Sequence, residues 1–524
     1  MSKSGNWLCG AILVKVSLAA SGASAGVAFE VKLDAQARTE PATGRLVVFV
    51  VPGSAKGEPV DGPSFENPQP MYGIDVKDLQ PGGTAVLDES AGERVTGFPV
   101  PLRDLPPGSY TGQARLDMFR LDSNWRREPG NMWSAPVAFT VAAGKDSKVT
   151  LLLDRVVKER KREAADVKVF EIRSELLSKF HGREIKLRAG VVLPLKHEAA
   201  RRYPAVYEVP GFGGDHTGAY RTARMRKMVA AGTAESELAT QCFWIVPSPE
   251  SGNGHTLFAD SANNGPWGEA LVKELIPALE KKYNLEPRRE ARLLSGHSSG
   301  GWSTLWLAVS YPDTFGACWS SSPDPVDFTR FQLPDIYSQE SMYVNAAGEE
   351  IGSFRTGGVV KMTVREENGI EEVLGPGNTS GQQWDSWLAT FGPRGADGNP
   401  APLYDPATGK LDRAIAEQFR KYDINELVKE RPGEVGLLFK ERIRLVVGDQ
   451  DSYYLNEAVA RLKERVDALS FLQLPEGGKG YIKIVPGADH GTVFMSKELR
   501  AYPSEMLEWL KEKGLAKQSA AAPR

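Results

Sequence analysis

The segment Ala291-Arg292-Leu293-Leu294-Ser295 reads as a buried strand and runs straight into Gly296-His297-Ser298-Ser299-Gly300. A helix follows at once, from about Gly301-Trp302 through Leu305, Leu307, Ala308 and Val309 to a stop at Pro312. A strand that turns so tightly into a helix lifts the residue at its apex, Ser298, out of the backbone. The helix N-terminus then aims free N–H groups at any charge that develops beside that side chain. This context predicts a nucleophilic serine and acyl-transfer chemistry. The pentapeptide pattern alone carries little weight, because a second copy, Gly22-Ala23-Ser24-Ala25-Gly26, has no strand before it.

Strand and helix signals alternate on both sides of the turn. Ala205–Val209, Cys242–Val246, Phe315–Ser320, Ile443–Val447 and Tyr481–Val485 read as buried strands, and Val167–Ile172 with Arg183–Leu193 as a pair of long ones. Trp267–Tyr283 has the apolar spacing of an amphipathic helix, and a last helix carries Met506, Leu507, Trp509 and Leu510 before Gly514. Such alternation predicts an α/β domain over about 165–513, with a mostly parallel sheet covered by helices on both faces. Between 324 and 440 the alternation breaks. This lid-like insertion is far longer than an ordinary connection, holds a helix near Leu411–Tyr422, and offers Trp384, Trp387 and Phe391 either to a pocket or to a local core.

Residues 27–153 differ in kind. Alternating segments such as Val27–Leu33 and Val137–Val141, punctuated by Pro52-Gly53-Ser54, Pro81-Gly82-Gly83 and Pro106-Pro107-Gly108, predict an all-β, immunoglobulin-like sandwich. Its aromatic residues Tyr110, Phe119, Trp125 and Trp133 fit core packing better than a carbohydrate platform.

Lys plus Arg number 64 and Asp plus Glu 67, so no bulk positive charge favours nucleic acid or an anionic membrane. Residues 1–25 read as a signal peptide, with Lys3, an apolar run from Trp7 to Ala20 interrupted by Lys15, and Ala23-Ser24-Ala25 as the cleavage site. A secreted or periplasmic protein with no membrane span is expected. Of three cysteines, Cys242 and Cys318 lie in apolar runs and fit buried small hydrophobes. The chain has no Cys/His cluster or HExxH, and neither metal nor cofactor is expected.

A serine nucleophile needs a base, and the base an orienting carboxylate. Of six histidines, His490 follows a strand and precedes the last helix, in Pro486-Gly487-Ala488-Asp489-His490-Gly491. His297, inside the turn, is expected to point elsewhere, and His216 and His255 fit pocket-lining loop positions. The acid falls between serine and histidine in chain order. Asp451 is favoured over Asp449 in Gly448-Asp449-Gln450-Asp451-Ser452 because it sits further past the strand, with Asp324 and Asp327 behind them. The aspartate not used is expected to cap the helix from Leu455. Oxyanion donors are expected at the Ser299 N–H and in Pro210-Gly211-Phe212-Gly213-Gly214, at Phe212 or else Gly213.

In that order and context these motifs resemble α/β-hydrolases, and more narrowly the esterase family that includes esterase D, enterochelin esterase and feruloyl or acetylxylan esterases. The resemblance covers roughly 165–513. It implies an α/β-hydrolase fold, a serine esterase acting through an acyl-enzyme, and a small-molecule or carbohydrate-linked ester as substrate. Pro210 stands where relatives often have His, and the 324–440 insertion is unusually long. Two other readings stay open: a peptidase of the prolyl-oligopeptidase type, for which 27–153 is too short to be the propeller, and a non-catalytic carbohydrate-binding protein on a hydrolase scaffold.

Overall fold

A computed structural model describes residues 26–61, 66–118, 122–159, 162–470 and 478–516. The expected signal peptide at 1–25 and Phe119 lie outside them.

Eight strands form the central sheet. Its spatial order is Val167–Ser174, Ile185–Val192, Phe243–Pro247, Ala205–Val209, Arg292–His297, Ala317–Ser321, Ile443–Gly448 and Tyr481–Val485. The first two pairings are antiparallel, and every pairing from Phe243–Pro247 onward is parallel. This is the α/β-hydrolase arrangement. The sequence dictates it plainly: the inner strands Ala205–Val209, Phe243–Pro247, Ala317–Ser321 and Ile443–Gly448 are short and almost wholly buried, as strands covered on both faces must be. Helices Gly218–Met228, Ser299–Ser310, Leu455–Ala468 and Tyr502–Glu512 cover the faces. The Trp267–Tyr283 helix forms, with a π-helical turn at Leu271–Leu275. Cys242 and Cys318 are free and buried. Among the described residues no helix is long and apolar enough to cross a membrane.

The N-terminal strands form one continuous nine-stranded sheet rather than two separate ones. Phe29 sits on the second strand of its order and Tyr72 on the seventh, which in a flat sheet lie about 24 Å apart at the usual strand spacing. Their ring centroids are 6.3 Å apart. The sheet therefore wraps over itself, and its two halves enclose a core built from the inward residues of Val27–Leu33, Ala42–Pro52, Gly108–Asp117 and Ser147–Val156. Trp125 and Trp133 pack edge to face, with Arg115 and Arg126 over Trp125, and Tyr110 stacks on Phe139.

The insertion after Ala317–Ser321 is ordered and packed. Trp384, Trp387 and Phe391, on helix Gln383–Phe391, meet Phe328, Phe331, Phe419 and Trp302 in an aromatic cluster continuous with the main core. The expected helix near Leu411–Tyr422 is Arg413–Phe419, closed by a 3-10 turn to Tyr422. Helix Val364–Leu374 starts with a complete capping box between Thr363 and Glu366. It packs Ile370, Val373 and Leu374 against Phe49, Met71 and Phe98 of the β-module. Arg45 of the module donates from Nε to the Val373 carbonyl at 2.9 Å. A Cβ at Gly73 would lie 2.4 Å from that carbonyl oxygen, so the approach requires glycine there.

Candidate active site

Parallel sheets place ligands at the carboxyl ends of their strands, and all the predicted site residues lie there. Ser298 follows the strand Arg292–His297 at the middle of the sheet and has φ 59° and ψ −129°, a backbone region that non-glycine residues rarely enter. Three hydrogen bonds hold it. Its N–H donates to Ser321 O at 3.0 Å, and its carbonyl accepts from Trp302 N at 3.0 Å and Asp324 N at 3.4 Å. The flanking glycines are a steric necessity. A Cβ at Gly296 would lie 2.2 Å from Gly300 O, and one at Gly300 would lie 2.1 Å from Val209 O.

Asp451 and His490 come from the loops after Ile443–Gly448 and Tyr481–Val485, the last two strands of the sheet. His490 Nδ1 is 2.8 Å from Asp451 Oδ2. Asp451 is fully buried, and its Oδ1 accepts the Tyr453 N–H at 3.0 Å. Burial alone lowers the His490 pKa, but the charge and hydrogen bond of Asp451 outweigh it and leave it raised above the ordinary 6.5. The two loops are zipped together. Asp449 N donates to Val485 O and Gln450 N to Ala488 O, both at 3.0 Å, and a Cβ on Gly448 would meet Ala488 O at 2.0 Å.

The remaining aspartates do other work. Asp449 Oδ1 accepts the Gly487 N–H at 2.7 Å, so it pins the histidine loop and does not cap the helix Leu455–Ala468. The sequence misplaced it because Asp449 and the Gly487 loop are adjacent only through strand pairing. Asp324 accepts the Trp387 indole N–H at 2.7 Å, and burial pushes its pKa up to about 6. Asp327 is engaged by Thr329, Asn425 and Arg461. Neither of the last two is bonded to His490.

The glycine-rich loop after Ala205–Val209 lies against the serine. A Cβ on Gly211 would sit 3.2 Å from His297 O and 3.4 Å from Ser298 Cβ. Gly214 N donates to Gly211 O at 3.0 Å, and Gly213 takes the φ of +72° that such a turn needs at its third residue. Among the described residues neither the Phe212 N–H nor the Ser299 N–H donates to a protein acceptor. Two backbone donors beside Ser298 are thus unused, which is the arrangement that stabilises an oxyanion.

Two histidines have positions the sequence did not disclose. His297 packs its ring 4.4 Å from that of His490 and 4.4 Å from that of Phe494, and it lines the cavity instead of pointing away. Burial keeps it neutral, with a pKa well below 6.5. His255 is wholly buried, receives the Leu257 N–H on Nδ1 at 3.1 Å, and donates from Nε2 to Pro210 O at 2.9 Å. It tethers the glycine-rich loop rather than lining the pocket. A buried tether histidine has no spacing signature, so only the fold reveals it. His216 sits in a separate cleft, between the β-module and the catalytic unit.

The cavity over Ser298 holds about 570 Å³. Its lining mixes apolar residues, among them Phe212, Leu374, Leu455 and Phe494, with polar ones, among them Asp324, Glu367, Glu371 and Gln332. The insertion therefore contributes much of the wall. Trp387 reaches the cavity, whereas Trp384 and Phe391 stay in the core behind it. Ser298 and His490 line this one cavity, and among the described residues no hydrogen bond yet joins them, as is common in unliganded hydrolases. No group of three His, Cys, Asp or Glu among the described residues is arranged to hold a metal ion.

Comparison with solved structures gives a ferulic acid esterase at 13% identity, covering 66% of this chain and 98% of that one with a TM-score of 0.38. An S-formylglutathione hydrolase from Agrobacterium tumefaciens follows at 15% identity, covering 67% and 98%, TM-score 0.34. A Staphylococcus aureus fluorophosphonate-binding serine hydrolase is similar at 13% identity, covering 66% and 99%, TM-score 0.35. A family model described as "Putative esterase" matches residues 178–497, more than half of the chain. The chain belongs to this esterase family.

Proposed function

We propose that this protein is an exported serine esterase that cleaves a carboxylic ester through an acyl-enzyme. Its catalytic unit spans 165–513, its β-sandwich-like module 27–153, and its lid-like insertion 324–440. The observation that carries the mechanism is the convergence, at one cavity, of a strained Ser298, a His490 oriented by buried Asp451, and two unused backbone N–H groups.

Ser298 Oγ attacks the ester carbonyl carbon while His490 Nε2 takes its proton. Asp451 holds the Nδ1–H and stabilises the imidazolium that forms. The carbonyl oxygen becomes an oxyanion, which the Phe212 and Ser299 N–H groups receive. When the tetrahedral intermediate collapses, His490 returns the proton to the departing alcohol and the acyl group remains on Ser298. Water then enters, gives its proton to His490, and releases the acid by the same steps in reverse order. The substrate is a small-molecule or carbohydrate-linked ester. The apolar residues of the lining suit an acyl or aryl group, and its carboxyl and amide groups suit hydroxyls. Export rests on the signal-like residues 1–25.

Hydrolysis of p-nitrophenyl acetate and labelling by a fluorophosphonate probe test the assignment. Both are expected of the wild type and neither of Ser298→Ala. Equal rates in the two proteins would refute it. A panel of feruloyl, acetyl-sugar and catecholate esters would then identify the substrate.

A further inference from the structure

The oxyanion loop is held from outside the catalytic unit. Arg127 lies on a short turn of the β-module, Trp125–Arg127, capped by the Asn124 side chain on Arg126 N. Its guanidinium forks onto Asp122 through Nε, at 2.8 Å, and Nη2. That leaves Nη1 to donate to the carbonyl of Gly213 at 2.8 Å. Asp215 and Glu250, of the catalytic unit, lie 3.6 and 3.8 Å from the same guanidinium. The neighbouring Ser123 donates to Glu250 Oε2 from its N–H at 3.1 Å and its Oγ at 2.6 Å. Its carbonyl receives Gln382 Nε2 of the insertion at 3.3 Å. One turn of the β-module thus grips the oxyanion loop, the 250 region and the cavity wall.

The glycine-rich loop has little of its own to keep it in one conformation, because three of its five residues are glycine. Its carbonyls are fixed one by one. His255 holds Pro210 O, Gly214 N holds Gly211 O, and Arg127 holds Gly213 O. With both ends of the turn fixed, the intervening Phe212 N–H has one orientation, beside Ser298. Preorganisation of this kind determines what a backbone donor contributes in the transition state.

We propose that Arg127 is a positioning residue for the oxyanion loop, and that the β-module is thereby a working part of the active site rather than an accessory substrate-binding domain. The proposal rests on the serine-esterase reading above. Arginine suits the task because its planar fork serves a carboxylate and a carbonyl at once, which a lysine ammonium on a flexible stem does not.

The test compares wild type, Arg127→Lys and Arg127→Met in the full chain, with rates expressed per serine titrated by fluorophosphonate. Arg127→Lys keeps a charge among Asp122, Asp215 and Glu250, so it remains informative if Arg127→Met does not fold. In Arg127→Lys, kcat per titrated serine is expected to fall about tenfold with KM changed less than about twofold. Affinity for a boronic acid, which presents a tetrahedral oxyanion, should fall in proportion to kcat, and the midpoint of the pH profile should not move. Wild-type kcat per titrated serine in Arg127→Lys would overturn the proposal. So would a loss confined to yield or melting temperature. Ser298→Ala separates the two ideas: if it is as active as the wild type, the esterase reading fails first, whatever Arg127 does.

Discussion

His490 Nδ1 lies 2.8 Å from Asp451 Oδ2, while Asp449, two residues earlier in the same loop, holds the Gly487 N–H at 2.7 Å. The two aspartates therefore predict different variants. Asp451→Asn leaves the geometry but removes the charge that stabilises the imidazolium and selects the tautomer. Its kcat should fall about 10⁴-fold. Asp449→Asn loosens only the histidine loop and should cost less than about tenfold. Steady-state rates of the two variants on one ester check this, and the reverse order of losses would reassign the acid.

The pH profile follows from the raised His490 pKa. The serine is activated only by neutral His490, so activity should drop as pH falls through a midpoint above 6.5. In Asp451→Asn the opposing effect of burial is left alone, and the residual activity should extend to lower pH. For stability the sign is opposite. A histidine raised in the folded state contributes stability that is complete below 6.5 and is lost as pH rises through the folded value. A kcat/KM profile of the wild type with its acid midpoint below 6.5 would contradict the assignment.

His255 gives a pH effect on stability. Burial pushes its pKa down to about 4, and the Leu257 N–H on Nδ1 fixes the proton on Nε2. Between pH 6.5 and 4 the unfolded chain takes up a proton that the folded chain refuses. Stability should therefore fall as pH drops across that range, by at most about 3 kcal/mol. His255→Gln should flatten this part of the dependence, read from urea midpoints at pH 7 and pH 5. Because the tether to Pro210 is also altered, its kcat should fall about tenfold at pH 7.

Gly300→Ala forces a Cβ to within 2.1 Å of Val209 O, a backbone atom that cannot step aside. It should destabilise the protein by about 3 kcal/mol and reduce soluble yield. Gly213→Ala adds a Cβ that meets nothing within 4 Å but must adopt a φ of +72°. It should lower stability by only about 1 kcal/mol. Denaturant midpoints of the two variants separate steric exclusion from backbone strain.

The sheet was legible in the sequence as short apolar-rich runs. The buried strand Ala205–Val209 and the edge strand Tyr481–Val485, with Lys483 exposed, both have the bounds their residues suggest. The turn at Ser298 was legible for a local reason, since strand, glycines and helix are contiguous. Chain order limited the acid to the aspartates between Ser298 and His490, and the position of Asp451 further past its strand favoured it over Asp449 as the partner of His490. What depends on distant approach was hidden. The role of Asp449 arises from strand pairing, the placement of His297 from the packing of Phe494 and His490, and the tether of His255 from a hairpin folded beneath the glycine loop. The insertion offered aromatic residues without a period, and only the assembled cluster shows which of them reach the cavity.

Helix Val364–Leu374 lines the catalytic cavity with Glu367 and Glu371 and packs Val373 against the β-module, while Ile370 and Leu374 belong to both. A compound seated in the cavity and the intact module against the helix favour the same placement of the same eleven residues. Ligand occupancy and module folding are then linked equilibria, and each must strengthen the other by an equal free energy. Such a chain is expected to melt as a single cooperative unit, and an inhibitor of the esterase site to raise the melting temperature of strands that never touch it.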